Sequence, residues 1–298
     1  MADHSIAEPH GARDLVALWR NLPVNIVRYR MPTLPAELAL SSLADHLRSR
    51  AWRERCLPGK EKACADAKEN CPFVDSDRCR ADQLFPMYLG GGAPNWRMAT
   101  LFVQWLRQAE ELRLIAIGEA ACAELAWAAS CLGERFRLPV AQSSPVRTFA
   151  DVMLAGAGNW RMEFITPWLA AKNTARRTPT HAFILEQLIN SMRVRAHKFT
   201  ALCAHEAIWQ RLGAHLAHHI GNALPAMLRI EQASIEPEPP RRYASKGNGG
   251  HFEGLALVGE VVLRVAPPAL PWLSLLALCG GGENADKGFG VVEITAEQ

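Results

Sequence analysis

Apolar positions along this chain switch between two periods, and the switches mark its elements. "NIVRYRM" (25–31) alternates apolar and polar residues, the pattern of a strand. "AELALSSLADHLRSRAWRERC" follows with helical spacing, and Leu40, Leu43, Ala44, Leu47 and Ala51 form one apolar face. "QLFPMYL" reads as renewed extended structure, and "GGGAPN" (90–95) as a turn. Next come a buried strand at "ELRLIAIGE" (111–119), a helix at "AACAELAWAASCL" (120–132) and a strand at "RFRLPVA". After a break at "LAGAGN" (154–159), "WRMEFITPWLA" is strand-like and "AKNTARRTPT" (171–180) is a basic loop. From His181 to about Ile220 the pattern is helical, with Leu185, Leu188, Ile189, Met192, Ala196, Phe199 and Cys203 stepping by three and four. That is too long for one ordinary helix, so two helices or one long bent helix are expected. "AMLRIEQASIE" is a strand, "PEPPRRYASKGNGG" a loop, "HFEGLALVGEVVLRV" a long strand, "PALPWLSLLALC" a short helix and "GVVEI" a last strand.

The second half therefore reads strand, helix, strand, strand, helix, strand, which is the ferredoxin-like order. The first half fits a looser version. The expected fold class is α+β, with two ferredoxin-like domains in tandem, residues 1–153 and 154–298, and a long helical insertion in the second.

Composition narrows the class. The chain has 298 residues, 49% of them hydrophobic and 21% charged, enough to bury a sizeable core and too few charges for a disordered chain. The net charge of +3 permits an anionic partner without demanding one. "MADHSIAEPHGARDLVALW" has no secretion-signal pattern, and "APPALPWLSLLALC" is too short to span a bilayer. A soluble, cytoplasmic protein with no membrane partner is the expectation.

Three groups of residues invite chemical readings, and the last is the glycine-rich segment. Cys56, Cys64, Cys71 and Cys79 are spaced C-x7-C-x6-C-x7-C, unlike the close pairs of common zinc modules. Free thiols and a structural metal both remain open there. His205, His215, His218 and His219 raise a metal only weakly, since no acidic partner pattern accompanies them. The third group is "GGGENADKGFGVVEI" (280–294), where Lys287 lies among five glycines. It lacks the G-x-x-x-x-G-K-[ST] order of a phosphate-binding loop and follows a helix rather than a strand. A tight turn and a surface for an RNA backbone remain.

The ordered set of segments resembles the CRISPR-associated precursor-RNA endoribonucleases of the RAMP superfamily. "GGGENADKGFGVVEI" resembles that family's C-terminal glycine-rich loop and final strand. "MEFITPWLAAK" resembles the F-x-T-P strand opening the C-terminal domain, and "AFILEQLINSMRVRAHKFTAL" the helix with an arginine just past its middle. "YASKGNGGHFEGLALVGEVVL" resembles the strand pair before the last helix. "LADHLRSRAWRERCL" and "CPFVDSDRCRADQLFP" resemble N-terminal segments. The likeness runs from about residue 25 to 296.

This resemblance implies binding of CRISPR repeat RNA and a cut within precursor crRNA that needs no metal and no cofactor. The RNA's own 2′-hydroxyl attacks the neighbouring phosphate, leaving a 2′,3′-cyclic phosphate. Other subunits of a CRISPR effector complex are the further partners implied, and a non-catalytic RNA-binding RAMP subunit is the alternative reading. Internal attack needs a base, an acid for the leaving 5′-oxygen, and cations around the phosphate. His46 is the first catalytic candidate: with Arg50 and Arg53 it forms a stripe at i, i+4 and i+7 beside the apolar helix face. Tyr29 offers a hydroxyl from the preceding strand. Arg242 is the third candidate, in a loop with Arg241, Tyr243, Lys246 and His251. RNA contacts are expected from Arg50, Arg53, Lys172, Arg176, Arg177, Arg193, Arg241, Lys246 and Lys287. Gly282, Gly288 and Gly290 are expected to let phosphates approach backbone N–H groups.

Overall fold

A computed structural model describes residues 12–33, 40–56, 80–85, 99–139, 142–143, 145–156, 158–170, 178–203, 222–238, 255–283, 285 and 288–297. Helix α1 (Ala12–Arg20) leads into strand β1 (Pro23–Arg30) and helix α2 (Leu40–Glu54). A short helix α3 (Arg80–Leu84) precedes strands β2 (Leu101–Leu106) and β3 (Glu111–Ile117) and helix α4 (Glu119–Phe136). Two-residue strands β4 (Gln142–Ser143) and β5 (Arg147–Thr148) and a helical turn α5 (Phe149–Val152) close the first half. The second half runs β6 (Gly158–Leu169), α6 (His181–Ala201), β7 (Leu228–Glu238), β8 (Ala256–Val265), α7 (Leu270–Cys279) and β9 (Val292–Ala296).

Both sheets are antiparallel and share one topology. The second has the order β7-β8-β6-β9. The first has β2-β3-β1-β4, with β5 also paired to β1, so β4 and β5 together make a broken fourth strand. Numbered within each half, the order is 2-3-1-4 in both, the ferredoxin-like arrangement expected of an α+β tandem.

The patterns explain the elements. On α2, Leu40, Leu43, Ala44, Leu47 and Ala51 are all buried, as their spacing predicts. On β6, Trp160, Met162 and Phe164 point to the core while Arg161 and Glu163 alternate to the other face. Helix α7 is apolar all round, and nine of its ten residues are buried. It has core on both sides because it lies between the halves. From the first half, the Gln104 side-chain amide on β2 donates to the Ala277 and Leu278 carbonyls at the end of α7 (3.0 Å each).

Two expectations need correction, and two elements are additions. "QLFPMYL" does not restart a strand at Gln83–Leu84, because Arg80–Leu84 is helical and Leu84 packs into the core. "RFRLPVA" is not a strand at its start: α4 continues through Phe136 and stops at Arg137, which adopts the left-handed conformation. Strand β2, "LFVQWL", was not anticipated; its near-continuous burial removes the alternation that signals a half-exposed strand. Helix α1 was not anticipated either, yet its Trp19 is fully buried. The helix from His181 ends at Ala201, and residues 204–221 lie outside those described. No helix among the described residues is long and apolar enough to cross a membrane.

Candidate active site

His46 sits on the side of α2 that meets α4, half-buried against the last turns of that helix. Its ring meets the Phe136 ring edge-to-face, with centroids 5.4 Å apart and planes at 85°. The imidazole donates to the Cys131 backbone carbonyl, while Nε2 is buried with no hydrogen-bond partner. Burial, then Arg50 and Arg135, push the imidazole pKa below its ordinary value; the Cys131 bond opposes them, and Arg53 adds a smaller push downward. The product is a neutral imidazole among three guanidiniums, which suits a proton acceptor beside an anion.

Carboxylates hold part of this charge in place. Arg50 Nε lies 2.6 Å from Glu54 Oε1, out of line for a hydrogen bond, and its outer nitrogen is 3.8 Å from Glu134. Exposed Arg53 donates from Nε to the Ser49 carbonyl (3.1 Å), which fixes the base of its side chain on the helix. Just past the end of α2, Arg55 pairs with Glu124 at 2.9 Å and covers the Trp127 ring at 4.7 Å. Sequence spacing aligns His46, Arg50 and Arg53; only the packing of α4 on α2 adds Phe136, Cys131 and Arg135.

The glycine-rich loop is built differently from expectation. Gly280, Gly281, Gly288 and Gly290 are buried, and Gly282 is partly so. The loop's N–H groups bond within the protein: Gly281 to the Gly290 carbonyl (2.9 Å), Gly290 to Pro167 (3.0 Å), Glu283 to Leu169 (2.8 Å) and Gly288 to Ala285 (3.1 Å). Gly282 N–H donates to Ser191 Oγ at 3.0 Å. The N–H groups of Gly282, Gly288 and Gly290, expected to receive phosphate, thus donate to partners within the protein. Arg195 on α6, 6% exposed, ties the loop down from below; Nε donates to the Gly280 carbonyl (3.2 Å) and an outer nitrogen to Gly282 (3.4 Å). Arg195 lies one helical turn beyond Ser191 on α6, and both side chains reach the loop.

No family model and no curated protein matches the chain. Solved structures do. Cas6 of Thermus thermophilus is 13% identical, with 92% of this chain and 99% of that chain covered and a TM-score of 0.42. A Cas6-related protein from Pyrococcus furiosus is 11% identical, with 93% and 100% covered and a TM-score of 0.40. The CRISPR endoribonuclease Cse3 bound to a 19-nucleotide RNA is 12% identical, with 91% and 99% covered and a TM-score of 0.39.

The other expected site residues fall into two groups. Tyr29 is 1% exposed, and its hydroxyl donates to the Ala129 carbonyl at 3.2 Å. Burial pushes its pKa up to about 12, and the side chain packs between β1 and α4. Arg193 lies partly exposed on α6. Lys172, Arg176, Arg177, Arg241, Arg242, Lys246 and Lys287 lie outside the described residues, as do Cys64, Cys71 and Cys79. Cys56 is buried. Among the described residues, no group of three His, Cys, Asp or Glu side chains is arranged to hold a metal ion.

Proposed function

We propose that this chain binds CRISPR repeat RNA and cleaves precursor crRNA by internal attack of a 2′-hydroxyl. The carrying observation is His46: a ring held neutral, with Nε2 unpartnered, beside Arg50, Arg53 and Arg135. In this reading Nε2 accepts the 2′-hydroxyl proton as the 2′-oxygen bonds to phosphorus. The bond from phosphorus to the 5′-oxygen breaks, a proton returns to that oxygen, and the arginines hold the crowded phosphate. DNA lacks the nucleophile, so the chemistry itself selects RNA. Arg242, with the basic residues at 172–177 and 241–246 and Lys287, completes the proposed RNA contacts. The division at residues 153/154 into two domains and a cytoplasmic location belong to the same proposal, as do other subunits of a CRISPR effector complex as partners. The ordered resemblance of segments from 25 to 296 supports it alongside the tandem ferredoxin-like fold.

The burial of Nε2 favours one second reading, a RAMP subunit that holds RNA without cutting it. One experiment separates the two. A CRISPR repeat transcript, incubated with the protein in EDTA, should yield a 2′,3′-cyclic phosphate and a 5′-hydroxyl. A 2′-deoxy nucleotide at the cut should abolish the product, and His46→Ala should slow it by roughly 10²- to 10⁴-fold. Tight retention of an intact transcript would establish the second reading instead.

A further inference from the structure

Glu54 closes the far end of the stripe that begins at His46, and both of its oxygens are engaged. His46, Arg50 and Glu54 stand at i, i+4 and i+8 on α2, about 12 Å from end to end. Helix α4 meets them in reverse order: Phe136 at His46, Cys131 and Glu134 at Arg50, and Trp127 at Glu54. Glu54 Oε1 lies 2.6 Å from Arg50 Nε, and Oε2 accepts from Trp127 Nε1 at 2.9 Å. The indole is fixed in turn. Arg55 lies over its ring at 4.7 Å and pairs at 2.9 Å with Glu124, which precedes Trp127 by one helical turn.

Helix spacing alone does not hold Arg50 in this way. Glutamate ahead of the cation is the better order for an i, i+4 pair, and here Arg50 precedes Glu54. Trp127 adds what the helix lacks, because a rigid indole packed under Arg55 fixes the carboxylate. Glu134 is a looser partner: it is 66% exposed, stands 3.8 Å from Arg50 and already accepts from Ser130 Oγ at 3.0 Å. Arg50 also exerts the largest charge effect on His46, so its place matters to that ring. An arginine that grips a phosphate loses rotamer freedom. One fixed beforehand loses less and meets the phosphate in a set orientation.

We propose that Glu54 is a positioning residue, locked by the Trp127 indole, that sets the Arg50 guanidinium beside His46 and the phosphate of the cleavage step. The inference rests on the cleavage reading above. Glu54 and Trp127 act through Arg50 and touch no reacting atom. The contact between α2 and α4 is then part of the site's chemistry as well as of the core.

The test uses the full chain. Trp127→Phe keeps an aromatic ring and every formal charge but removes the N–H that holds Glu54. An NMR titration of His46 should then show its pKa moving up toward the ordinary value, as Arg50 loses its place. Glu54→Ala should move it the same way. Charge alone predicts the opposite sign for Glu54→Ala, since losing a nearby carboxylate lowers an imidazole pKa. Under single-turnover conditions each variant should cut a CRISPR repeat transcript about tenfold more slowly. In an Arg50→Gln chain, Trp127→Phe should change neither the His46 pKa nor the rate, because no guanidinium remains to be placed. An unmoved or lowered His46 pKa in either variant, an unchanged or faster cut, or an equal loss in the Arg50→Gln chain would overturn the proposal. The titration needs no RNA. An unaltered chain that binds the transcript and never cuts it would overturn the cleavage reading, while the His46 pKa shifts still decided whether Glu54 places Arg50.

Discussion

His46 illustrates how much one residue's chemistry depends on neighbours distant in sequence. Its place on a helical stripe with Arg50 and Arg53 follows from spacing alone. Its neutrality comes from burial against α4 and from Arg135, eighty-nine positions away. Because the folded pKa lies below the ordinary value of about 6.5, the unfolded chain takes up the proton first as pH falls. Stability is thus whole above that value and declines as pH drops toward the folded pKa. Melting curves between pH 5 and 8 should show this decline, and His46→Gln should flatten it. If His46 is the base, the cleavage rate rises with pH, and the midpoint of the rise lies below about pH 6.5. A rate still climbing through pH 7.5 under single-turnover conditions would exclude that role. Tyr29 shows the converse: alternation placed it on β1 correctly, but no local pattern reveals that its hydroxyl ends against the Ala129 carbonyl.

Among the elements, the glycine-rich loop carries the sharpest contrast between composition and packing. Gly290 has a φ of 58°, and a Cβ there would overlap the Gly281 carbonyl oxygen. A Cβ on Gly281 would enter the Trp168 ring. These glycines let the segment after α7 fold back along β6, where Gly290 bonds to Pro167 and Val291 N–H to Thr166 Oγ1 at 2.9 Å. Gly290→Val should therefore destabilise the chain by more than about 3 kcal/mol, through strain at positive φ and backbone overlap. Thermal melts and far-UV circular dichroism check this. A folded variant with a native melting temperature would show that the loop tolerates a side chain. The F-x-T-P segment and the loop were legible as separate signals; their contact, closed by Arg195 and Ser191 from α6, was not.

For the molecule as a whole, one buried residue ties the halves together. Trp19 on α1 meets Phe149 (6.3 Å), Phe199 (5.8 Å) and Trp272 (4.7 Å) edge-on and donates to Thr200 Oγ1 at 3.0 Å. Phe149 belongs to the first half, Phe199 and Trp272 to the second. Arg107 to Glu163 (2.7 Å) and the Gln108 N–H to Glu293 (3.0 Å) add polar links across the same seam. Trp19→Ala should cost about 3–5 kcal/mol and broaden or split the unfolding transition, because the halves lose a shared aromatic core. Calorimetry would detect this, and a single sharp transition at the native temperature would refute it. The same seam explains the all-round burial of α7, which needs a partner on each side.

Sequence period alone determined most elements, their order, and hence the tandem ferredoxin-like plan, because burying one face of a helix or strand leaves a repeat of fixed length. It also determined the His46, Arg50 and Arg53 stripe, which one helix places on one face. Tertiary structure alone decided which groups remained available for chemistry. Packing used up the N–H groups of the glycine-rich loop and the Tyr29 hydroxyl, and left His46 Nε2 without a partner. Helix packing set the Trp127 indole against Glu54, the carboxylate beside Arg50. Hydrogen-bond capacity and charge crowding are set by pairs far apart in the chain, and local periodicity carries no record of them.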